Sequence, residues 1–432
     1  MIKLTKQNLS FATRLPFKKT LLVGLTLLCT ISVLRAQQYD LLIKGGHVID
    51  PKNNIDQVMD VAVKDGRIQR VSKNIATSES AKVVDASGLY VSPGFIDIHG
   101  HYFHGVNPHT EYSNGFNALN PDQFTFPAGV TTAVETGGSG WRNFVQFKEQ
   151  VIDRVQTRIF AILNIVGSGM AGIHEQNLDD MNPKMSALMA RQYRNDIVGF
   201  KLAHYNGHDW TPVDRLLEAG RLADLPVMVD FGSANPPLSL ETLFMDKFRP
   251  GDIYTHIFGG GSGGRQGVLD ENGNVRPFLL DAQKRGVIFD VGHGGASFSY
   301  ANAVPALAAG VKPNTISTDI HGRSALSGMK SMSNVMSKLL NLGMSLNEVI
   351  TASTWTPANV IRHPELGHLS EGAVADITVF NVLEGEFGFA ERTGINKIVG
   401  KHKIEAELTV KGGKIVWDLN GISAPLWNAT TK

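Results

Sequence analysis

Between residues 95 and 320 the chain repeats one unit eight times: a short apolar run with strand character, then a stretch that mostly reads as helix. The runs are Phe95–His101, Thr131–Thr136, Ile159–Val166, Ile197–Ala203, Val227–Phe231, Ile253–Phe258, Val287–Val291 and Thr315–Ile320. Helix-like segments such as Asn143–Val155, Val213–Ala223 behind Pro212, and Val335–Leu342 fall among them. Strands joined through helices pair in parallel, and eight such units over about 230 residues match a (β/α)8 TIM barrel in number and spacing. An open doubly wound sheet calls for a glycine fingerprint after its first strand, and none is present.

On either side the pattern changes to short alternating strands. Tyr39–Ile49, Val61–Val71 and Lys82–Val91 precede the repeat, with a turn signal at Asp65-Gly66. Ala375–Phe380, Glu407–Val410 and Lys414–Trp417 follow it, around Gly412-Gly413. Two β-rich flanks enclosing an α/β middle imply a small β-sandwich built from both chain ends, residues 37–92 with 367–432, around a barrel of residues 93–366.

Residues 1–36 stand apart. Lys3, Lys6, Arg14, Lys18 and Lys19 lead into the apolar run Thr20–Leu34 and the small residue Ala36. That is the layout of a cleavable signal peptide, with an apolar run too short for a comfortable membrane span. A secreted or periplasmic protein without a stable membrane anchor is expected. Cleavage removes six basic and no acidic residues, leaving 35 basic against 40 acidic and a net charge of −5. No basic field draws such a chain to nucleic acid. The single cysteine, Cys29, leaves with the leader, which excludes a disulfide framework and a thiolate metal site.

Barrel enzymes carry their chemistry at the C-terminal ends of the strands. The first strand ends in His99-Gly100-His101, and residues two apart on a strand share a face. Strand four directs Gly199, Lys201 and Ala203 inward, with Phe200 and Leu202 toward the helices. An inward lysine among small residues is costly unless its charge is altered or paired. Strand six places His256 in the inward register with Tyr254 and Phe258, and strand eight places Asp319 there with Ser317 and Thr315 behind it. This set is hard to explain as packing.

With these residues in view, the chain resembles the amidohydrolase superfamily, in its dihydroorotase-like and D-aminoacylase-like deacetylase branch. The resemblance runs from about Tyr39 to Trp417. Its motifs are Pro93-Gly94-Phe95-Ile96-Asp97-Ile98-His99-Gly100-His101, Gly129-Val130-Thr131-Thr132 and Val198-Gly199-Phe200-Lys201. Gly251 to His256, Phe289 to Gly294, Ile316 to Asp319, and the return through Leu366-Gly367 and Gly372 to Asp376 complete them. The resemblance implies two divalent metals, zinc or else manganese. His99, His101 and Asp319 would hold the inner ion and His256 the outer one, with Lys201, carboxylated by carbon dioxide, bridging both. Asp319 would carry the proton from a metal-activated water to the leaving group.

One position departs from the family, which has a histidine at the end of strand five. Here Val227-Met228-Val229-Asp230 directs Asp230 inward. A carboxylate ligates zinc at similar distances and suits a harder ion. Asp230 is thus either a ligand of an altered two-metal site, the mark of a one-metal site, or a sign of degeneration. His204 and His208, just beyond strand four, are set aside as substitutes. His293 and Arg323 are the candidate substrate-binding residues, Arg323 as a clamp for a carboxylate. His104, His109 and His321 lie near the mouth, and the run Gly259–Gly267 reads as a loop over the site.

The expected activity is hydrolysis of an amide or ester bond in a small acylated amino or hydroxy acid. A cyclic-amide hydrolase and a catalytically impaired binding protein are the alternatives, with a homo-oligomer also possible. Export argues against a biosynthetic dihydroorotase, whose substrate is cytoplasmic.

Overall fold

The computed structural model describes residues 37–105, 117–170, 172–261, 263–392 and 394–427. The expected leader and His109 therefore lie outside the described residues. Among the described residues, no helix is long and apolar enough to cross a membrane.

The N-terminal flank forms β1 (Tyr39–Asp50), β2 (Ile55–Lys64), β3 (Arg67–Ser72), β4 (Ser80–Asp85) and β5 (Tyr90–Pro93). The middle supplies β6 (Phe95–Gly100), β7 (Val130–Gly140), β8 (Arg158–Asn164), β9 (Ile197–Ala203), β10 (Val227–Asp230), β11 (Ile253–Tyr254) and β12 (Ile288–Phe289). The C-terminal flank adds β13 (Ile377–Ala390), β14 (Lys397–Lys411) and β15 (Lys414–Asp418).

Strands β6 to β12 pair in sequence order and in parallel, forming a curled seven-stranded sheet of TIM-barrel type. The segment expected as an eighth strand, Thr315–Ile320, forms no ladder. It makes single parallel bridges instead, Thr315 to Asp290 and Ile320 to Gly100. Apolar residues on both faces of the sheet explain the near-continuous hydrophobic runs of the sequence. Ile96, Ile98, Val134, Phe160, Ile162, Val198, Met228 and Ile253 pack with Ala358 and Leu366 in one cluster. Phe200, Leu202, Val227, Val229, Tyr254 and Phe289 belong to the larger cluster shared with the helices. With the interior filled by apolar side chains at the start of the strands, polar groups collect at their ends.

Both chain ends meet in a separate eight-stranded, mainly antiparallel sheet of order β15-β14-β13-β5-β1-β2-β3, with β4 beside β1. The β5–β13 pairing joins the two flanks. The last hairpin runs much further than expected, because beyond Phe380 its strands carry Glu384, Glu386, Lys397, Lys401 and Lys403 in place of an apolar alternation. Only scattered residues of this arm, such as Phe389 and Ile404, are buried, too few for sequence periodicity to reveal.

Candidate active site

His99, His101, Lys201, Asp230, His256 and Asp319 all come together. His101, Lys201, Asp230, His256 and Asp319 line a cavity of about 450 Å³ at the C-terminal ends of the strands, and His99 lies directly beneath, fully buried. Asn117, Met170, His204, Arg265, Ser297, His321 and Arg323 complete much of its wall.

Two of these residues do not reach the site as strand alternation predicts. Tyr254 packs outward against Phe244 and Phe231, so it does not share an inward face with His256. The ladder stops at Tyr254, and His256 turns inward through a left-handed backbone, φ 62°. Asp319 (φ 51°) and His204 (φ 55°) use the same device. For a residue with a Cβ this conformation costs about 1–2 kcal/mol, so the strain is concentrated where the chemistry is. Gly294 makes room beside them: a Cβ there would lie 2.4 Å from Asp319 Oδ2.

Each of the three predicted histidine ligands is held by Nδ1, leaving Nε2 for the site. His256 Nδ1 donates to the carbonyl of Gly292. Thr255 Oγ1 donates to Asp290 (2.8 Å), so it accepts from His99 Nδ1 at 2.9 Å. Asp290 is fixed in turn by the hydroxyls of Thr315 and Ser317. His101 Nδ1 faces Glu135 Oε1 at 3.3 Å. Glu135 is fully buried and also accepts from the backbone N–H groups of Tyr102, Phe103 and Gly138. Carboxylates, hydroxyls and carbonyls behind imidazoles in this way fix the tautomer that a metal ligand requires.

On the cavity side, His101 Nε2 lies 2.9 Å and His99 Nε2 3.6 Å from Asp319 Oδ1. One ligand atom from each of His99, His101 and Asp319 lies within 4.8 Å of the others. Two imidazoles and a carboxylate converging on one point fit a divalent ion. Burial, followed by the adjacent Lys201 ammonium, lowers His99 to about 4. Burial disfavours the cationic form of His101 too, yet Asp319 and Glu135 raise it to about 8. Asp319 resists ionisation through burial, but His99 and His101 hold its carboxyl well below the usual range.

Lys201 is 1% exposed, with Nζ 2.9 Å from His99 Nε2 and 3.8 Å from Asp230 Oδ2. Asp230 sits at the end of β10 with its Oδ2 3.3 Å from His256 Nε2 and 3.3 Å from His204 Nε2, while Arg265 Nη1 lies 3.4 Å from Oδ1. Burial opposes its charge, and His256 and His204 keep it ionised, well below the usual carboxylate range.

Other expectations divide. Arg323 is exposed and lines the cavity, as does His321. His293 does not: it is fully buried, stacked 4.5 Å from Phe298, with Nδ1 on its neighbour's carbonyl and Nε2 2.7 Å from the buried Lys338. Its contacts here are with the Gly294 carbonyl, Lys338 and Phe298. His104 is exposed and outside the cavity lining, and His208 bonds the carbonyl of Pro236. The loop Gly259–Gly267 does reach the site, through Arg265. Glu135, Arg265 and Glu175 escape a reading of the sequence. An acid inside the apolar run Thr131–Thr136 is the available signal for Glu135.

Comparison with known proteins agrees with this arrangement. A family model described as the amidohydrolase family matches residues 299–416. A deacetylase of Brucella anthropi is 31% identical over 78% of this chain and 83% of its own length. A deacetylase of Enterococcus faecalis is 30% identical over 87% of this chain and 99% of its own. Among solved structures, an adenine deaminase superposes with a TM-score of 0.77 at 28% identity, covering 88% of this chain and 100% of its own. A dihydroorotase superposes at 0.75 and 28% identity, covering 88% and 99%.

Proposed function

Since the chain belongs to the amidohydrolase superfamily, and with it to the metal-dependent hydrolases of carbon–nitrogen bonds, we propose that it is an exported deacetylase. Its substrate in this reading is a small N-acylated amino acid or O-acylated hydroxy acid. The observation that carries the reading is a cavity of about 450 Å³ with an Asp–His cluster on its floor and Arg323 and His321 on its wall. Nearly full-length similarity to two deacetylases supports the acyl substrate. The basic-then-apolar leader of residues 1–36 supports export. The bridges made by Thr315–Ile320 support its assignment as the eighth strand of a closed barrel.

His99, His101 and Asp319 would hold one ion, and Lys201, Asp230 and His256 the second. Bound there, divalent ions polarise the substrate carbonyl and make an attached water nucleophilic at neutral pH. Carboxylation of Lys201 by carbon dioxide replaces a buried ammonium with an anionic oxygen donor. Asp319, at the cavity floor, accepts the proton of the attacking water. Asp319 then passes that proton to the leaving nitrogen or oxygen. The Arg323 guanidinium binds the substrate carboxylate through its forked donors. A cyclic-amide substrate is the second reading, supported by the dihydroorotase superposition.

The test is turnover by the protein lacking residues 1–36, loaded with zinc or manganese in bicarbonate. The panel pairs N-acetyl and O-acetyl acids with hydantoin and dihydroorotate. Cleavage of acyl acids is expected. Ring opening without deacylation would replace the acyl reading with the cyclic one.

A further inference from the structure

In the sequence, His204 is set aside as a substitute for the missing strand-five histidine. In the structure it occupies the corner that Asp230 leaves short of an imidazole. Its backbone N–H donates to the carbonyl of Asp230 (3.1 Å), and its own carbonyl accepts from Gln176 Nε2 (2.8 Å). With φ at 55°, the chain turns the ring into the cavity and not along the strand. Nδ1 is 3.0 Å from Oε2 of Glu175, which is 2% exposed and whose other oxygen has no partner. A buried carboxylate facing Nδ1 fixes that nitrogen as a donor, so Nε2, 3.3 Å from Asp230 Oδ2, is the nitrogen that gives up its proton where an ion binds. His256 Nε2 approaches the same oxygen at 3.3 Å, and Lys201 Nζ at 3.8 Å. Three nitrogen-bearing side chains thus converge on one carboxylate oxygen, and two of them are imidazoles locked from behind.

We propose that His204 is a ligand of the second metal ion, together with Asp230 and His256, and that Glu175 is its positioning residue. The swap moves the imidazole from β10 to the end of β9 and puts a carboxylate where an imidazole is expected. That carboxylate adds one negative charge, and Arg265, 3.4 Å from Asp230 Oδ1, offsets it while leaving Oδ2 to face the ion. The assignment extends the hydrolase reading, on whose metal dependence it rests.

The measurement is metal content by elemental analysis of the protein lacking residues 1–36, loaded with zinc and bicarbonate. It is read beside the visible absorption of the cobalt(II)-loaded protein, which reports ligand number without any turnover. His204→Asn is the principal variant, since asparagine tolerates the left-handed backbone. Glu175→Gln is the second, and carries the test if the first does not fold. Two ions in the parent, one in His204→Asn, and a second-site affinity about 10–100-fold weaker in Glu175→Gln are expected. Two ions in both parent and His204→Asn, with unchanged cobalt absorption and unchanged affinity in Glu175→Gln, would overturn the assignment while leaving the hydrolase reading intact. A parent that binds one ion and turns over acyl acids would also overturn it. A parent that binds none would overturn both.

Discussion

Glu135 offers a test that isolates the support of the site from its chemistry. Its carboxylate is fully buried and its hydrogen-bond partners are all donors. Oε2 accepts from the backbone N–H groups of Tyr102 and Phe103, and Oε1 from Gly138 N at 3.0 Å and from His101 Nδ1 at 3.3 Å. Glu135→Gln keeps the shape but replaces one oxygen with an amide nitrogen. Either orientation of the amide sets its nitrogen against at least one backbone N–H, that of Gly138 on one side or those of Tyr102 and Phe103 on the other, so rotation offers no escape. Hydrogen bonds to a charged group contribute about 1.5–3 kcal/mol each. Losing one or two of them costs roughly 1.5–6 kcal/mol, a sizeable share of an ordinary folding free energy of about 5–15 kcal/mol. A loss of that size is expected to lower the melting temperature by roughly 2–7 °C in a chain of this length. His101 also loses the acceptor that fixes its tautomer, so metal affinity is expected to fall by about 10–100-fold. The assays are calorimetric melting of the metal-free protein and zinc titration of the loaded one. An unchanged melting temperature would refute the reasoning, because the backbone N–H groups on both oxygens cannot become acceptors.

Three further outcomes are expected. Lys201→Ala should abolish most turnover and regain part of it with acetate or propionate, short acids that can stand in for the carbamate; full activity without them would remove Lys201 from the site. Asp319→Asn should keep part of its metal and lose turnover, measured by elemental analysis and product release, and retained turnover would remove Asp319 as proton carrier. Lys338, whose amine burial lowers to about 7, binds its proton in the unfolded chain but not in the folded one between pH 7 and its ordinary value near 10.5. Its contribution to stability therefore improves as pH rises through that interval, by about 5 kcal/mol in all. Urea midpoints should show a smaller gain from pH 6 to pH 9 in Lys338→Met than in the parent, and equal gains would mean that the amine stays charged in the folded protein.

What can be read from the sequence is whatever is periodic. Strands β6 to β10 are legible because buried parallel strands are apolar throughout, and Lys201 and Asp230 because apolar residues on both sides set the face they share. His99 and His101 stand out as a pair two residues apart. The carboxylate in place of a strand-five histidine is legible for the same reason. Periodicity fails where the chain leaves regular geometry. His256 and Asp319 point correctly only through left-handed turns, and the two-residue ladders of β11 and β12 are too short for alternation to govern the residues beyond them. The orientation of His293 depends on Lys338, 45 residues away, and on the ring of Phe298. Glu175 and His204 are 29 residues apart, and His101 and Asp319 are 218 apart. Residue type and spacing along one strand therefore settle which groups exist and which face they share. Which nitrogen is free, which carboxylate stands behind it and which imidazole completes a coordination corner depend on contacts between separate strand ends, and only the folded chain brings those together.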